Sequence, residues 1–237
     1  MLLAFVDQPQ RHQRLTVFPV VASDEPQLSY LLLAEAIRSG SLMFFENGLG
    51  ETPFLTFRNQ SCIPVLMLDC EAVTDGKKNK GTSQSVLLGP GSVTTLPISC
   101  TDAGKWSCEE MEGSLAESFG DFPLQEGQVG LLAFLGRHLL GMDVLGTPGL
   151  YSQLHRRLLT GHLMTALAAG EKARMESSAE EAEIQALARA LEGAERVAAP
   201  CLGSGEYSTL HGEVTGGELR HNGHLVHLSV FPNGVAA

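Results

Sequence analysis

Residues 52–106 read TPFLTFRNQSCIPVLMLDCEAVTDGKKNKGTSQSVLLGPGSVTTLPISCTDAGKW. Four short apolar segments, at 53–57, 64–68, 85–88 and 93–99, are separated by Asn-Gln-Ser, by a charged loop and by Gly-Pro-Gly. Apolar runs of this length punctuated by turn formers are how consecutive antiparallel strands read, so the stretch predicts the centre of a β-structure. Between its second and third strands stand Asp69-Cys70-Glu71 and Lys77-Lys78-Asn79-Lys80. Two carboxylates, several amines and an amide therefore leave one sheet edge together.

Working outward, 15–21 (LTVFPVV) reads as a strand whose Pro19 suits a sheet edge, where its missing N–H is not needed. Ser23, Asp24, Glu25 and Pro26 supply helix-start signals, and Leu28, Leu31, Leu32 and Ile37 mark one apolar face before Gly40, which predicts a helix over 26–39. A short strand at 42–46 follows. On the other side, 107–128 carries Glu109, Glu110, Glu112, Glu117, Asp121 and Glu126 with Phe119, Phe122 and Leu124 as isolated anchors, and reads as an irregular acidic connection.

Two segments further on have hairpin character. In 129–146 two apolar runs flank Gly136-Arg137, and in 218–232 two runs flank Asn222-Gly223. GRHLLGMDVL can be laid over GHLVHLSVF, which suggests equivalent hairpins; shared hairpin chemistry accounts for so short a match without duplication. Between them, Thr147-Pro148 opens a helix with an apolar stripe of Leu150, Leu154, Leu158, Leu163 and Leu167 interrupted at Gly161. Ser178 with Glu181 forms a capping box for a second helix, whose face of Ile184, Leu187, Leu191 and Ala194 runs toward Pro200.

The chain has 237 residues, enough for a sizeable core, and reads as a single domain, 1–237, with a β-rich subregion at 15–106 and a hairpin-helix-helix-hairpin subregion at 129–232. A formal net charge of −11 opposes binding to a phosphate backbone, so nucleic acid is not an expected partner. No stretch approaches the roughly 20 apolar residues of a membrane span, and the N-terminal apolar run is too short for a secretory signal. The expected location is cytoplasmic. Five cysteines, Cys62, Cys70, Cys100, Cys108 and Cys201, form no C-x-x-C, so free thiols and no metal site are expected.

The candidate ligand-binding set is Asp69, Glu71, Lys77, Lys78, Asn79 and Trp106. A partly desolvated Lys beside a carboxylate binds an anionic or carbonyl group or serves as a base, while a solvated turn is the ordinary alternative. Candidates for catalysis are Glu71, Lys78, Cys100 and His227. Cys100 precedes a turn ending Gly104-Lys105-Trp106, where a thiol could be acidified; a small buried hydrophobe is its plainer role. Strand alternation predicts that Val226 and Leu228 share one face and His227 takes the other, toward Glu71 or Cys100.

Several of these stretches together, Leu66 to Glu71 (LMLDCE), Gly76-Lys77-Lys78-Asn79, Pro90 to Ser92, Leu96 to Cys100 and Gly104-Lys105-Trp106, resemble an uncharacterised bacterial family. It is the family named for association with ADP-ribosylglycohydrolases and rhodanese-phosphatases. The resemblance continues through Gly136-Arg137, the helix over 154–167 and Val226-His227-Leu228. The chain departs from it at Cys70, where Gly is usual, and at Lys80, where Arg is common. The association implies NAD or ADP-ribose related metabolism and demonstrates no activity.

The expected architecture is α+β: an antiparallel sheet or sandwich, several packed helices and a C-terminal β-hairpin. The leading functional expectation is a ligand-binding or regulatory module for a nucleotide or ADP-ribose type of anion. The alternatives are a hydrolase or transferase using Cys100 or the Glu71/Lys78 pair, and a structural interaction domain. A small molecule, a protein or a second copy of the chain fits as partner, and no residue pattern names a cofactor.

Overall fold

Two hairpins of matching design form the middle of the largest sheet. One joins β13 (Gln128–Leu135) to β14 (His138–Leu145), the other joins β17 (Val214–His221) to β18 (His224–Pro232). Gly136 has φ +60°, the positive value at the first central position that a type II′ turn requires; Asn222 and Gly223, at +51° and +79°, make the type I′ turn their sequence predicts. The ladders then run in the same register. Gly130 pairs with Val144 and Gly216 with Val230, and the register slips between Ala133 and Phe134 in one hairpin and between Leu219 and Arg220 in the other. Each slip leaves one unpaired residue, Leu140 or Val226, as a β-bulge.

The computed structural model describes residues 5–22, 29–47, 54–69, 71, 73–74, 79–97, 99–100, 115, 118–168 and 179–233. For Phe5, Glu46, Asn47, Val73, Thr74, Asn79, Lys80, Ser99 and Cys100 it describes the backbone alone. Around the hairpins, β14 pairs with β18 at the centre. On one side β13 pairs with β3 (Leu15–Val21), which carries β1 (Phe5–Val6) and β2 (Gln10–His12) on its far edge. On the other, β17 pairs with β16 (Glu206–His211), and β16 with β15 (Glu195–Ala199). The path is β1-β3-β13-β14-β18-β17-β16-β15 with β2 beside it, antiparallel throughout.

The 52–106 stretch forms strands as expected but is not the centre of this sheet. Its segments are two to six residues long and fall into separate three-stranded sheets. One joins β10 (Val86–Leu88), β7 (Val65–Met67) and, in parallel, β4 (Leu31–Leu32). Another joins β11 (Val93–Pro97), β6 (Phe54–Asn59) and β5 (Leu42–Asn47). The third joins β12 (Ser99–Cys100), β9 (Asn79–Gly81) and β8 (Val73–Thr74). The eight- and nine-residue hairpin strands supply the longer ladders.

Among the described residues three α-helices bear on the layers. The first, α1 (Leu33–Arg38), is shorter than the predicted 26–39, because Leu31 and Leu32 pair with β7; residues 23–28 lie outside the described residues. The second, α2 (Pro148–Ala168), starts with Thr147 Oγ1 accepting the Leu150 N–H at 3.2 Å and runs through Gly161 without a break. The third, α3 (Glu181–Gly193), has its capping box two residues later than predicted, on Glu180 and Glu183, and ends before β15, a strand where continued helix was expected. In the acidic connection, Ser118–Asp121 is a 3₁₀ turn with Phe119 and Phe122 buried, while Leu124 is exposed.

The large sheet is covered on both faces. Against one lie α2 and the β4-β7-β10 sheet, with Leu15, Leu66, Leu87, Leu131, Tyr151, Leu154 and Val226 in one core. Against the other lies α3, with Phe18, Val129, Leu132, Val144, Leu187 and Leu228 in a second. At about 1.5–3 kcal/mol per buried large aliphatic or aromatic side chain, these layers supply the main drive to fold. A third core joins α1 to the small sheets through Leu42, Leu55, Phe57, Val65 and Leu96.

The bulge overturns the alternation expected in β18. Val226 packs in the α2-side core and Leu228 in the α3-side core, so they do not share a face. The extra residue shifts the two-residue period by one, which puts Val226 and His227 on the α2 side and Leu225 and Leu228 on the other.

Candidate functional site

Polar side chains from five places in the chain converge where the small β7–β10 sheet meets the middle of the large one. Asp69 follows β7, Ser85 precedes β10, Asp143 lies on β14, His227 and Ser229 lie on β18, and His162 comes from α2. Asp143 and Ser229 are directly paired across the central strands, and His227 is two residues from Ser229 on the same face.

His227 is 2% exposed and held from both ends. Its Nδ1 is 2.8 Å from Ser85 Oγ and 3.9 Å from Asp69 Oδ1, and its Nε2 is 3.4 Å from Asp143 Oδ1, close enough for charge attraction but without hydrogen-bond alignment. Ser85 Oγ accepts the Asp69 N–H at 3.0 Å and donates to Asp69 Oδ1 at 3.2 Å; Ser229 Oγ donates to Asp69 Oδ2 at 3.3 Å. His162 Nε2 lies 3.8 Å from Asp143 Oδ2. An imidazolium at 227 thus donates to Ser85, which donates to Asp69, forming a chain from the interior to a carboxylate that is 23% exposed.

The charges follow from these neighbours. Burial by itself lowers the His227 pKa, yet Asp143 and Asp69 outweigh it and raise it above the usual imidazole value. Burial likewise opposes ionisation of Asp143, but His162 and His227 hold it well below the usual carboxylate range. Tyr207 is pushed up to about 12 by burial and by the nearby Asp69.

Ser85, His227 and Asp143 stand in the order hydroxyl, imidazole, carboxylate, which is also the order of a nucleophile, base and orienting acid. Ser85 is 3% exposed and its proton is engaged by Asp69, so the cluster is built to hold a charge and a hydrogen-bond chain rather than to present a nucleophile. Among the described residues no group of three or more His, Cys, Asp or Glu side chains is arranged to hold a metal ion.

The sequence candidates fall in different places. Glu71 is buried and turned inward: Oε2 accepts the Leu68 N–H at 2.9 Å and Oε1 accepts from Arg157 Nη1 at 2.7 Å. Burial raises its pKa, and Arg157 only partly offsets this. Because β7 ends at Met67, strand alternation does not govern Asp69 and Glu71, which separate toward Ser85 and Arg157. Asn79 lies on β9 and Cys100 on β12, with their backbones alone described. Lys77, Lys78 and Trp106 lie outside the described residues. His227 faces Asp69, Ser85 and Asp143, where the sequence predicted Glu71 or Cys100.

Sequence reading passed over Ser85, Asp143, His162 and Ser229. The available signals were a single carboxylate within the apolar strand HLLGMDVL and a histidine on the inner face of α2. Gly141 is the related local device. A Cβ there would come within 3.3 Å of His162 Cε1 and 3.2 Å of Phe231 Cδ1, so the glycine makes the room His162 occupies.

The chain is thus an α+β protein, with a large antiparallel sheet, helices on its faces and a buried acid–imidazole cluster at its centre. A family profile described as ARG and Rhodanese-Phosphatase-superfamily-associated Protein domain, ARPP-1, matches residues 4–112 and 107–231. The chain belongs to that family. No curated protein and no solved structure matches it. Among the described residues no helix is long and apolar enough to cross a membrane.

Proposed function

We propose that this protein is a cytoplasmic small-molecule binding module in which Asp69 is the ligand-facing end of the hydrogen-bond chain through Ser85 to His227. The supporting observation is the imidazole held between Asp69 and Asp143 in the interior. Desolvating such charges costs more than an apolar filling of similar volume, and perturbed titratable groups of this kind cluster at functional sites. A carboxylate accepts hydrogen bonds from paired hydroxyls, as on a ribose, which agrees with a nucleotide or ADP-ribose type of ligand. The association in the family name points the same way.

Titration of the isotopically labelled protein with ADP-ribose tests this. The expected result is a saturable shift of the Ser85 and His227 backbone amides, abolished in Asp69→Asn. Saturation without change at these residues overturns the reading, as does equal affinity in Asp69→Asn.

A further inference from the structure

Away from that cluster, a cleft of about 530 Å³ opens between α2 and the 3₁₀ turn with the segment that follows it. This volume is within the range of small-ligand sites. Phe119, Phe122, Pro123 and Leu124 form one side, and Ser152, Gln153, Arg156 and Arg157 the other. Among the described residues no carboxylate lines it, in a chain whose net charge is −11. Asp121, in the same segment, is turned away, with Oδ2 on His12 Nδ1 at 2.6 Å.

The walls are fixed by buried hydrogen bonds. The carbonyl of Phe122 can only accept, so His155 Nε2 donates to it at 2.9 Å, and Nδ1 then accepts from the Tyr151 hydroxyl at 2.9 Å. Gln128 Nε2 donates to the same hydroxyl at 3.0 Å. Burial lowers the His155 pKa, which favours the neutral ring this chain needs. The apolar segment is thereby anchored to the helix that carries the arginines.

Arg156 and Arg157 differ in their engagement. Arg157 is tied to Glu71, whereas the Arg156 guanidinium lies over the Phe119 ring, 5.5 Å from its centroid. A guanidinium held over an aromatic ring keeps N–H donors for an anion. We propose that this cleft binds a nucleoside monophosphate, with the phosphate on Arg156 and Arg157 and the planar base against Pro123 and Leu124. The charge complementarity selects the phosphate, and the apolar side selects the ring. This site shares no residue with the Asp69 cluster.

The test is calorimetric and NMR titration of the full chain with AMP, adenosine and inorganic phosphate. AMP is expected to shift the amides of residues 119–124 and 152–157. Adenosine, lacking the charge, and phosphate, lacking the ring, are each expected to bind about tenfold or more weaker than AMP. Arg156→Gln is expected to lose about the same factor while keeping the wild-type melting temperature, since Arg156 is exposed. Arg157→Lys gives a second reading that keeps the charge and loses the bidentate fork. This proposal is read at the amides of 119–124 and 152–157 and the preceding one at those of Ser85 and His227, so the two fail separately. Unchanged affinity in both arginine variants, shifts confined to other residues, or equal binding of adenosine and AMP overturns it.

Discussion

The two central hairpins share a register and a bulge but not a chemistry. Where β18 has His227, the corresponding place in β14 is Gly141; where β14 has Asp143, β18 has Ser229. The shared features are backbone features: a glycine close to the facing strand, a tight turn and one extra residue at the same rung. The differing features are side chains: the polar residues on the α2 face, and on the α3 face Glu218 and Arg220 where β13 has Leu132 and Phe134. One scaffold is thus used twice, and their junction holds a cluster that neither hairpin has alone.

The strongest test of the shared scaffold is paired. A Cβ at Gly130 would collide with the carbonyl oxygen of Asp143, and one at Gly216 with that of Ser229. Gly130→Ala and Gly216→Ala are each expected to destabilise by about 3 kcal/mol or more, and by similar amounts, in urea denaturation. A large cost at one position and none at the other breaks the equivalence.

The cluster is tested next. Asp143→Asn removes the charge facing His162 and His227 and is expected to cost about 3 kcal/mol near pH 6. It is also expected to lower the His227 pKa in an NMR titration, since burial then acts with less opposition. Glu71→Gln is the control and leaves that titration in place, because His227 draws its charge partners from Asp69 and Asp143. The sign of the pH dependence follows. The raised imidazole contributes fully below its ordinary pKa of about 6.5 and loses that contribution as pH rises through its folded value. The depressed Asp143 contributes fully above its ordinary value and loses that contribution as pH falls through the folded one. His227→Gln is expected to flatten the alkaline limb of the stability curve.

The smallest effect separates surface from core. Arg137, in the first hairpin turn, pairs with Glu183 on α3 and is largely exposed. Arg137→Gln is expected to change stability by less than about 0.5 kcal/mol. A larger loss would show that the turn depends on α3.

Periodicity and turn chemistry, both local, determined much of this protein from sequence alone. The Asn222-Gly223 and Gly136-Arg137 turns, the strand at Leu15–Val21, the Thr147 start of α2 and the α+β class were legible because each rests on residues within a few positions of one another. The shortened α1 and the strand at Glu195–Ala199 were not, since pairing with β7 and β16 outweighed helix signals. The facing of Val226 and His227 turned on a bulge that becomes visible only when β17 lies alongside. The cluster was decided by tertiary structure for the same reason: Asp69, Ser85, Asp143, His162 and His227 are far apart in sequence, and their electrostatics exist only once sheet stacking has removed them from water.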